Sequence, residues 1–272
     1  MDQIKNYSTL ELSDSFIFSK VMQDEKLCKE LLEIILDIDI LRLKYIESEK
    51  TFEIAPGAKG VRLDVYVNDD KGTVYDIEMQ ATNTKELPKR SRFYQSMIDI
   101  DVLDKGALYC ELKKSYIIFI CLQDIFGKNR YVYTFRNVCV DDPQIELGDE
   151  ATKIFLNPYG TGTISESLEE FFRYLREHAP TGNFTQALDA SVKHARQNAA
   201  WRNEYMTIQN EIRMKEKDAY DKGHADGISQ GTEQMASIVI RNMLLKGQSD
   251  EDIMSITECS KDKIDEVRRT MQ

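Results

Sequence analysis

Asp64, Glu78 and Gln80 stand in the arrangement D-x(13)-E-x-Q, inside the stretch LDVYVNDDKGTVYDIEMQ of residues 63–80. Two acidic side chains with an amide two residues on can bind a hard divalent cation and orient a water, which is the equipment of phosphate-ester hydrolysis. The stretch predicts how they meet. With Asp70-Lys71-Gly72 as a three-residue hairpin loop, Gly72 in the left-handed position and Asp69 facing Thr73, Asp64 comes to lie opposite Glu78. Alternation then puts Asp76, Glu78 and Gln80 on the face of Asp64, and Leu63, Val65, Val67, Tyr75, Ile77 and Met79 on the other. Facing carboxylates repel unless a cation lies between them. An ordinary solvated hairpin face shows the same alternation, so the pattern alone leaves both readings open.

The flanking elements must position these groups. Residues 14–36 predict two helices, the second capped by Asp24 and carrying Leu27, Leu31, Ile34 and Ile35 on one side. Residues 41–54 predict a strand, followed by the loop APGAKG and then the hairpin. Pro88 suits the first residue of a helix that runs to about Asp104 and stops before Gly106. SYIIFICL, KNRYVYTFRNV and TKIFLN predict three more strands. That order gives a mixed α/β or α+β domain. Lys59 and Arg62 precede Asp64, while Lys89, Arg90 and Arg92 gather at the start of the helix after Gln80. A helix start with arginines favours phosphate, and a solvated basic edge is the plainer account of the same residues. Arg90 and Tyr94 share a helix face at i, i+4 spacing.

From Ser165 onward the pattern is helical. SESLEEFFRYLREH is followed by a break at Pro180–Gly182 and a long polar helix through Trp201 to about Asp221. Gly223, Gly227 and Gly231 predict a loosened hinge, since each glycine in a helix costs about 1 kcal/mol relative to alanine. Residues 233–272 predict three short helices, with a stop at Gly247 and caps at Ser249 and Ser260, resembling a helix-turn-helix. Acidic residues interleave with Lys261, Lys263, Arg268 and Arg269 there, which favours protein contact over DNA reading.

Bulk composition sets limits. The 272 residues carry a formal charge of −11, with 42% hydrophobic and 31% charged residues. Such acidity argues against general nucleic-acid affinity, so any such site must be local, and a divalent cation would offset acidic groups beside a phosphate. No apolar stretch approaches the roughly 20 residues that span a bilayer, and the start, MDQIKNYSTLELSD, has no basic-then-apolar pattern. Five scattered cysteines without a C-x-x-C pair predict buried thiols in a reducing cytosol, hence a cytoplasmic location, and argue against structural zinc. His178, His194 and His224 lie in the helical half and predict surface positions.

The stretch GVRLDVYV-NDDKG-TVYDIEMQ resembles the core motif of the PD-(D/E)XK nuclease superfamily. More closely, it is similar to the recombination-promoting nuclease and transposase family, where Gln is common at the final lysine position. The resemblance extends through DSFIFSKVMQDEKLCKELLEIIL, KRSRFYQSMIDIDVLDKGALYCELKKSYIIFI and WRNEYMTIQNE to the C-terminal GQSDEDIMSITECSKDKIDEV. It implies a restriction-endonuclease-like α/β core over residues 1–160, a helical linker region over 161–232 and a three-helix domain over 233–272. It also implies a DNA endonuclease that depends on Mg2+, with Mn2+ as substitute, and serves recombination or mobile elements; the alternative is an inactive DNA- or protein-binding relic of a transposase. Asp64 matches the central metal-binding aspartate, Glu78 the second acidic ligand, and the Met79 backbone carbonyl would complete the protein's share. Gln80 takes the place of the catalytic lysine; it can orient water but brings no positive charge and exchanges no proton. The fold further implies an acid from the first helix, with Glu30 and Glu33 as candidates, although a solvated helix position is the plainer account of each. Asp76 is a bystander or an outer ligand, with the bystander favoured. A homo-oligomer through the C-terminal helices is the expected partner arrangement besides DNA.

Overall fold

The hairpin turn closes as its sequence dictates. In the computed structural model, which describes residues 5–52, 60–82 and 84–271, strand β2 (Val61–Asp69) pairs antiparallel with β3 (Val74–Gln80), with Val65 opposite Ile77 and Asn68 opposite Val74. Gly72 has φ +82°, the left-handed value that a residue with a Cβ adopts only under strain. The Asp69 carboxylate ties the turn together, accepting from the amides of Lys71 (2.9 Å) and Thr73 (2.8 Å) and from the Tyr75 hydroxyl (2.9 Å).

Around this hairpin the chain builds a six-stranded mixed sheet in the order β1-β2-β3-β4-β6-β5. Strand β1 (Leu43–Phe52) lies antiparallel to β2, β4 (Ser115–Cys121) and β6 (Ala151–Leu156) run parallel to β3, and β5 (Val132–Phe135) is an antiparallel edge. The loop APGAKG lies mostly among the residues outside the description, and Lys59 with it. Helix α1 (Ser15–Val21) packs on β1, β2 and β3. Helix α2 (Glu25–Leu36) begins as expected, with Asp24 accepting from the amides of Lys26 and Leu27. Helix α3 (Leu87–Val102) lays Leu87, Tyr94, Met97 and Ile98 over Tyr66, Val74, Ile117 and Phe119 of the sheet. This is the restriction-endonuclease-like α/β arrangement that the resemblance implied, a mixed sheet flanked by helices.

Two differences concern the helical half. Helix α4 (Glu166–Glu177) is followed by a separate helix α5 (Asn183–Gln197), which packs on α1, α2 and α4 and buries Phe184, Leu188, Val192 and Ala195. The Tyr7 hydroxyl donates to the Ala195 carbonyl (2.6 Å) and Arg196 to the Leu10 carbonyl (2.5 Å). The chain accordingly divides into Met1–Tyr205 and Met206–Gln272. Helices expected in a linker after residue 160 are part of the first unit, because the apolar residues of α5 recur at helical spacing and need a core to cover them.

Helix α6 (Ala199–Leu245) runs unbroken through Gly223, Gly227 and Gly231, so the expected hinge is absent there. Uninterrupted backbone hydrogen bonding and helix-forming neighbours offset the cost of the three glycines. In the second unit, α7 (Asp250–Thr257) and α8 (Lys261–Arg269) are capped by Ser249 and Ser260 as predicted. Their Ile253, Ile264 and Val267 enclose a small core with Ile240 and Met243 of α6. No helix among the described residues is long and apolar enough to cross a membrane.

Candidate active site

The site lies where β2 and β3 exchange side-chain for backbone contacts. One residue beyond the Val65–Ile77 pair, the Asp64 amide donates to Glu78 Oε1 at 2.8 Å, and Asp64 Oδ2 accepts from the Met79 amide at 3.0 Å. Both carboxylates are thus pinned to the opposite strand. Glu78 faces Phe119 of β4 and is 1% exposed; Asp64 is half-buried. The polar face of the hairpin is therefore no solvated surface, because α3 covers it.

Asp76 is buried more deeply still, at 0% exposure; as a carboxylate neither of its oxygens finds a donor among the described residues, and a proton on it would be shared with Glu78. Burying a carboxylate without partners is expensive unless it is protonated or a cation compensates it. Burial is the main cause that pushes the Asp76 carboxyl well above its usual range, with the charges of Glu78 and Asp64 adding to it. Asp64 is likewise raised, by burial and then by Glu78. Glu78 is raised by burial, although Arg90 and the Asp64 amide pull it back.

Arg90, on the second turn of α3, points inward. Its Nη2 donates to Glu78 Oε2 at 2.6 Å, its Nη1 to Gln80 Oε1 at 2.8 Å, and its Nε to the Tyr94 hydroxyl at 2.7 Å. The guanidinium also lies 5.1 Å from the Tyr94 ring centroid and 5.4 Å from that of Phe119. Gln80 is held from both ends, since its Nε2 donates to the Thr82 carbonyl at 2.7 Å. These partners fix which end of the amide is which, because arginine only donates and a carbonyl only accepts.

The remaining expected residues fall outside this cluster. Lys89 and Arg92 are exposed on α3. Arg62 is bonded to Glu49, and its charge weakly counteracts the rise at Asp64. Neither candidate acid on α2 reaches the carboxylates: Glu30 is exposed, while Glu33 accepts from the Ile40 amide (2.8 Å) and pairs with Lys29 (2.7 Å), closing the turn after its helix. His178 caps α4, His194 meets Trp201 edge-on, and His224 stacks on Tyr220, so the histidines have local partners in the helical half.

Sequence reasoning did not anticipate Glu49. Its neighbours Ser48 and Lys50 pair with Val65 and Leu63, which puts Glu49 across from Asp64, and its φ of +61° is rare for a non-glycine residue inside a strand. Nothing in the composition of β1 signals that kink. The carboxylate of Glu49 serves Arg62 and lies 3.9 Å from the buried Lys20 ammonium, so its visible work is holding two cations.

Among the described residues no group of three or more His, Cys, Asp or Glu side chains is arranged to hold a metal ion. Two carboxylates with a backbone carbonyl still suit Mg2+, which keeps several waters and takes few protein oxygens. The excess of acid agrees with that donor chemistry: Arg90 is ion-paired with Glu78, its charge also acts on Asp64 and Asp76, and one cation faces three carboxyl groups.

Residues 15–220 match the family model described as "PD-(D/E)XK nuclease family transposase". Neither a curated protein nor a solved structure shows a match.

Proposed function

The chain belongs to the PD-(D/E)XK nuclease family transposases, and we propose that it is a DNA endonuclease that hydrolyses phosphodiester bonds with Mg2+, or Mn2+ in its place, in the service of recombination or mobile elements. The observation that carries this reading is the pairing of half-buried Asp64 with buried Glu78, cross-tied between two strands with more negative charge around them than Arg90 offsets. Asp64, Glu78 and the Met79 carbonyl would hold the cation. When bound, it supplies a Lewis acid that acidifies water and neutralises charge developing on the phosphate. The cross-ties keep the two carboxylates in place before any cation arrives, so little side-chain freedom is lost on binding. The second lone pair of Gln80 Oε1 can accept from the attacking water, and the exposed Lys89 and Arg92 at the start of α3 suit the flanking phosphates.

One observation favours the second reading, an inactive DNA- or protein-binding relic. The Arg90–Glu78 ion pair already neutralises part of the site without a metal. Purified protein incubated with supercoiled plasmid and Mg2+ or Mn2+ separates the two readings. Nicking that EDTA abolishes, and that Asp64→Ala and Glu78→Ala each abolish, supports the enzyme; an intact plasmid under all conditions supports the relic.

Beyond catalysis, we propose a cytoplasmic homo-oligomer that depends on residues 165–272. Exposed Ile212, Met214, Tyr220, Ile228 and Met235 on α6 supply apolar surface for it. Light scattering of the full chain tests it: a monomeric mass at micromolar concentration removes the oligomer.

A further inference from the structure

Gln80 leaves the site short of one positive charge, and the structure places a guanidinium against that very side chain. We infer that Arg90 supplies, from helix α3, the fixed cation that a lysine at position 80 would have brought, with Gln80 acting as a positioning residue that holds it. The inference rests on the nuclease reading above and assigns Arg90 a place in the reaction centre rather than among the phosphate contacts outside it.

The geometry is that of a locked side chain. Each of the three guanidinium nitrogens has its own acceptor: Nε the Tyr94 hydroxyl, Nη1 Gln80 Oε1 and Nη2 Glu78 Oε2. The rings of Tyr94 and Phe119 flank the group, and such contacts hold a cation in one orientation. A flexible phosphate anchor at a protein surface has none of these restraints, and the exposed Lys89 and Arg92 on the same helix have none of them among the described residues. The carboxamide of Gln80 is oriented by the Thr82 carbonyl, so its oxygen presents toward Arg90. Arginine offers five N–H donors. Three are used, which leaves two for a non-bridging oxygen of the scissile phosphate, where negative charge grows during attack.

Gln80 and Arg90 therefore form one unit. A lysine at position 80 would lose the Arg90-accepting oxygen and set two cations side by side, so glutamine is the residue that lets an arginine from the helix occupy the site. The same contact sets Arg90 and a bound divalent cation in competition for Glu78, since Nη2 is bonded to one of its oxygens.

The test uses the full-length protein and its variants Arg90→Gln, Arg90→Lys, Gln80→Lys and the double variant Arg90→Gln/Gln80→Lys. Three readouts are taken: single-turnover plasmid cleavage with Mn2+, DNA affinity with Ca2+, and Mn2+ affinity of the DNA-free protein by calorimetry or electron paramagnetic resonance. Removing a donor of this kind costs on the order of 10²- to 10³-fold in rate, so Arg90→Gln should fall by that much while DNA affinity shifts less than about threefold, below the cost of one good charged contact. Mn2+ should bind Arg90→Gln more tightly than the parent, because a competing charge is gone. Gln80→Lys alone should slow cleavage, and in the Arg90→Gln background it should recover at least about tenfold of the lost rate, a gain equal to about 1.4 kcal/mol. If Arg90→Gln is poorly folded, Arg90→Lys carries the test: charge without the fork should give an intermediate rate and unchanged DNA affinity.

Loss of DNA affinity in proportion to rate would overturn the inference, since that is how an outer phosphate contact behaves. So would unchanged Mn2+ affinity with no rescue by Gln80→Lys. A parent that never cuts, together with tighter Mn2+ binding by Arg90→Gln, sinks the nuclease reading and supports the place of Arg90 at the cation site.

Discussion

The backbone amide of Asp64 donates to the Glu78 carboxylate at 2.8 Å, so the two acidic residues are fixed relative to each other by the chain itself. Asp64→Asn and Glu78→Gln keep the shapes and most hydrogen bonds of this junction while removing charge. Each should lower cleavage by on the order of 10²-fold or more, since carboxylate oxygens are what a Mg2+ site requires. Thermal unfolding of Asp64→Asn in EDTA should stay at the parent's temperature or rise, because a like-charge repulsion has been relieved. Glu78→Gln should instead unfold at a lower temperature, because it takes the charged partner from the part-buried Arg90. A variant that cuts normally, or one that unfolds at room temperature, contradicts this account.

The buried carboxyls make the metal-free protein sensitive to pH in a definite direction. Asp76 has a folded pKa raised by burial and by Glu78 and Asp64, so the folded chain keeps its proton to higher pH than the unfolded chain does. Between about pH 4, the ordinary carboxylate value, and that raised pKa, the folded state binds more protons and stability falls as pH rises. Below the window Asp76 contributes nothing; above it the full cost is present. Melting temperatures in EDTA should therefore fall with rising pH, and Asp76→Asn should make that slope shallower. A variant with the parent's slope would show that Asp76 is not the group concerned.

Truncation distinguishes a core ending at residue 160 from one ending near Tyr205. Phe171, Phe172 and Leu188 are fully buried, and burying such a side chain contributes about 1.5–3 kcal/mol. Losing all three with the Tyr7–Ala195 and Arg196–Leu10 hydrogen bonds removes most of the roughly 5–15 kcal/mol that a domain has. A chain ending at residue 160 should lack a cooperative melt, whereas one ending at residue 212 should melt as the first unit does. Cooperative unfolding of the shorter chain would refute the boundary.

DNA affinity should depend on α3 more than on α8. Lys89 and Arg92 are exposed, whereas Lys263 is paired with Glu233 (2.8 Å) and Glu266 (3.0 Å), and Arg268 with Asp250 (2.5 Å) and Asp265 (2.7 Å). Replacing Lys89 and Arg92 by alanine should weaken binding at all sequences and reduce the salt slope by about 2, near one for each lost phosphate contact. Replacing Lys263 and Arg268 should leave the slope where it was. Fluorescence anisotropy across a salt series reads both, and the reverse ranking would assign the DNA contact to the C-terminal unit.

Legibility in the sequence followed how local each feature is. The hairpin register could be read because one glycine and the alternation along residues 63–69 and 73–80 determine it. The caps at Asp24, Ser249 and Ser260 could be read for the same reason. Arg90 could not be singled out from Lys89 and Arg92 by residue type, although it lies three residues after Leu87 and four before Tyr94, both buried. That spacing is the signal that it borders the covered stripe. Helix α5 carries Phe184, Leu188, Val192 and Ala195 at helical spacing, a core-facing pattern hidden in a segment whose polarity suggested a linker. The φ of Glu49 and the isolation of Asp76 depend on contacts between distant strands, and no local pattern encodes them.

The turn at Asp69–Thr73 has a consequence for the order in which the protein assembles. Its contacts span two to six residues, so they close with little loop entropy and can form early, ahead of the parallel pairing of β3 with β4. Asp64 and Glu78 lie at the far end of the same hairpin and join last as it zips. The acidic pair is thus brought together only after the turn and its neighbours are committed, which spares the early chain the cost of holding two carboxylates in contact. Asp69→Ala should then slow refolding while leaving the unfolding rate nearly unchanged, as for a residue whose contacts exist in the transition state. Stopped-flow folding and unfolding limbs decide it: an accelerated unfolding limb with normal refolding would place the turn late instead.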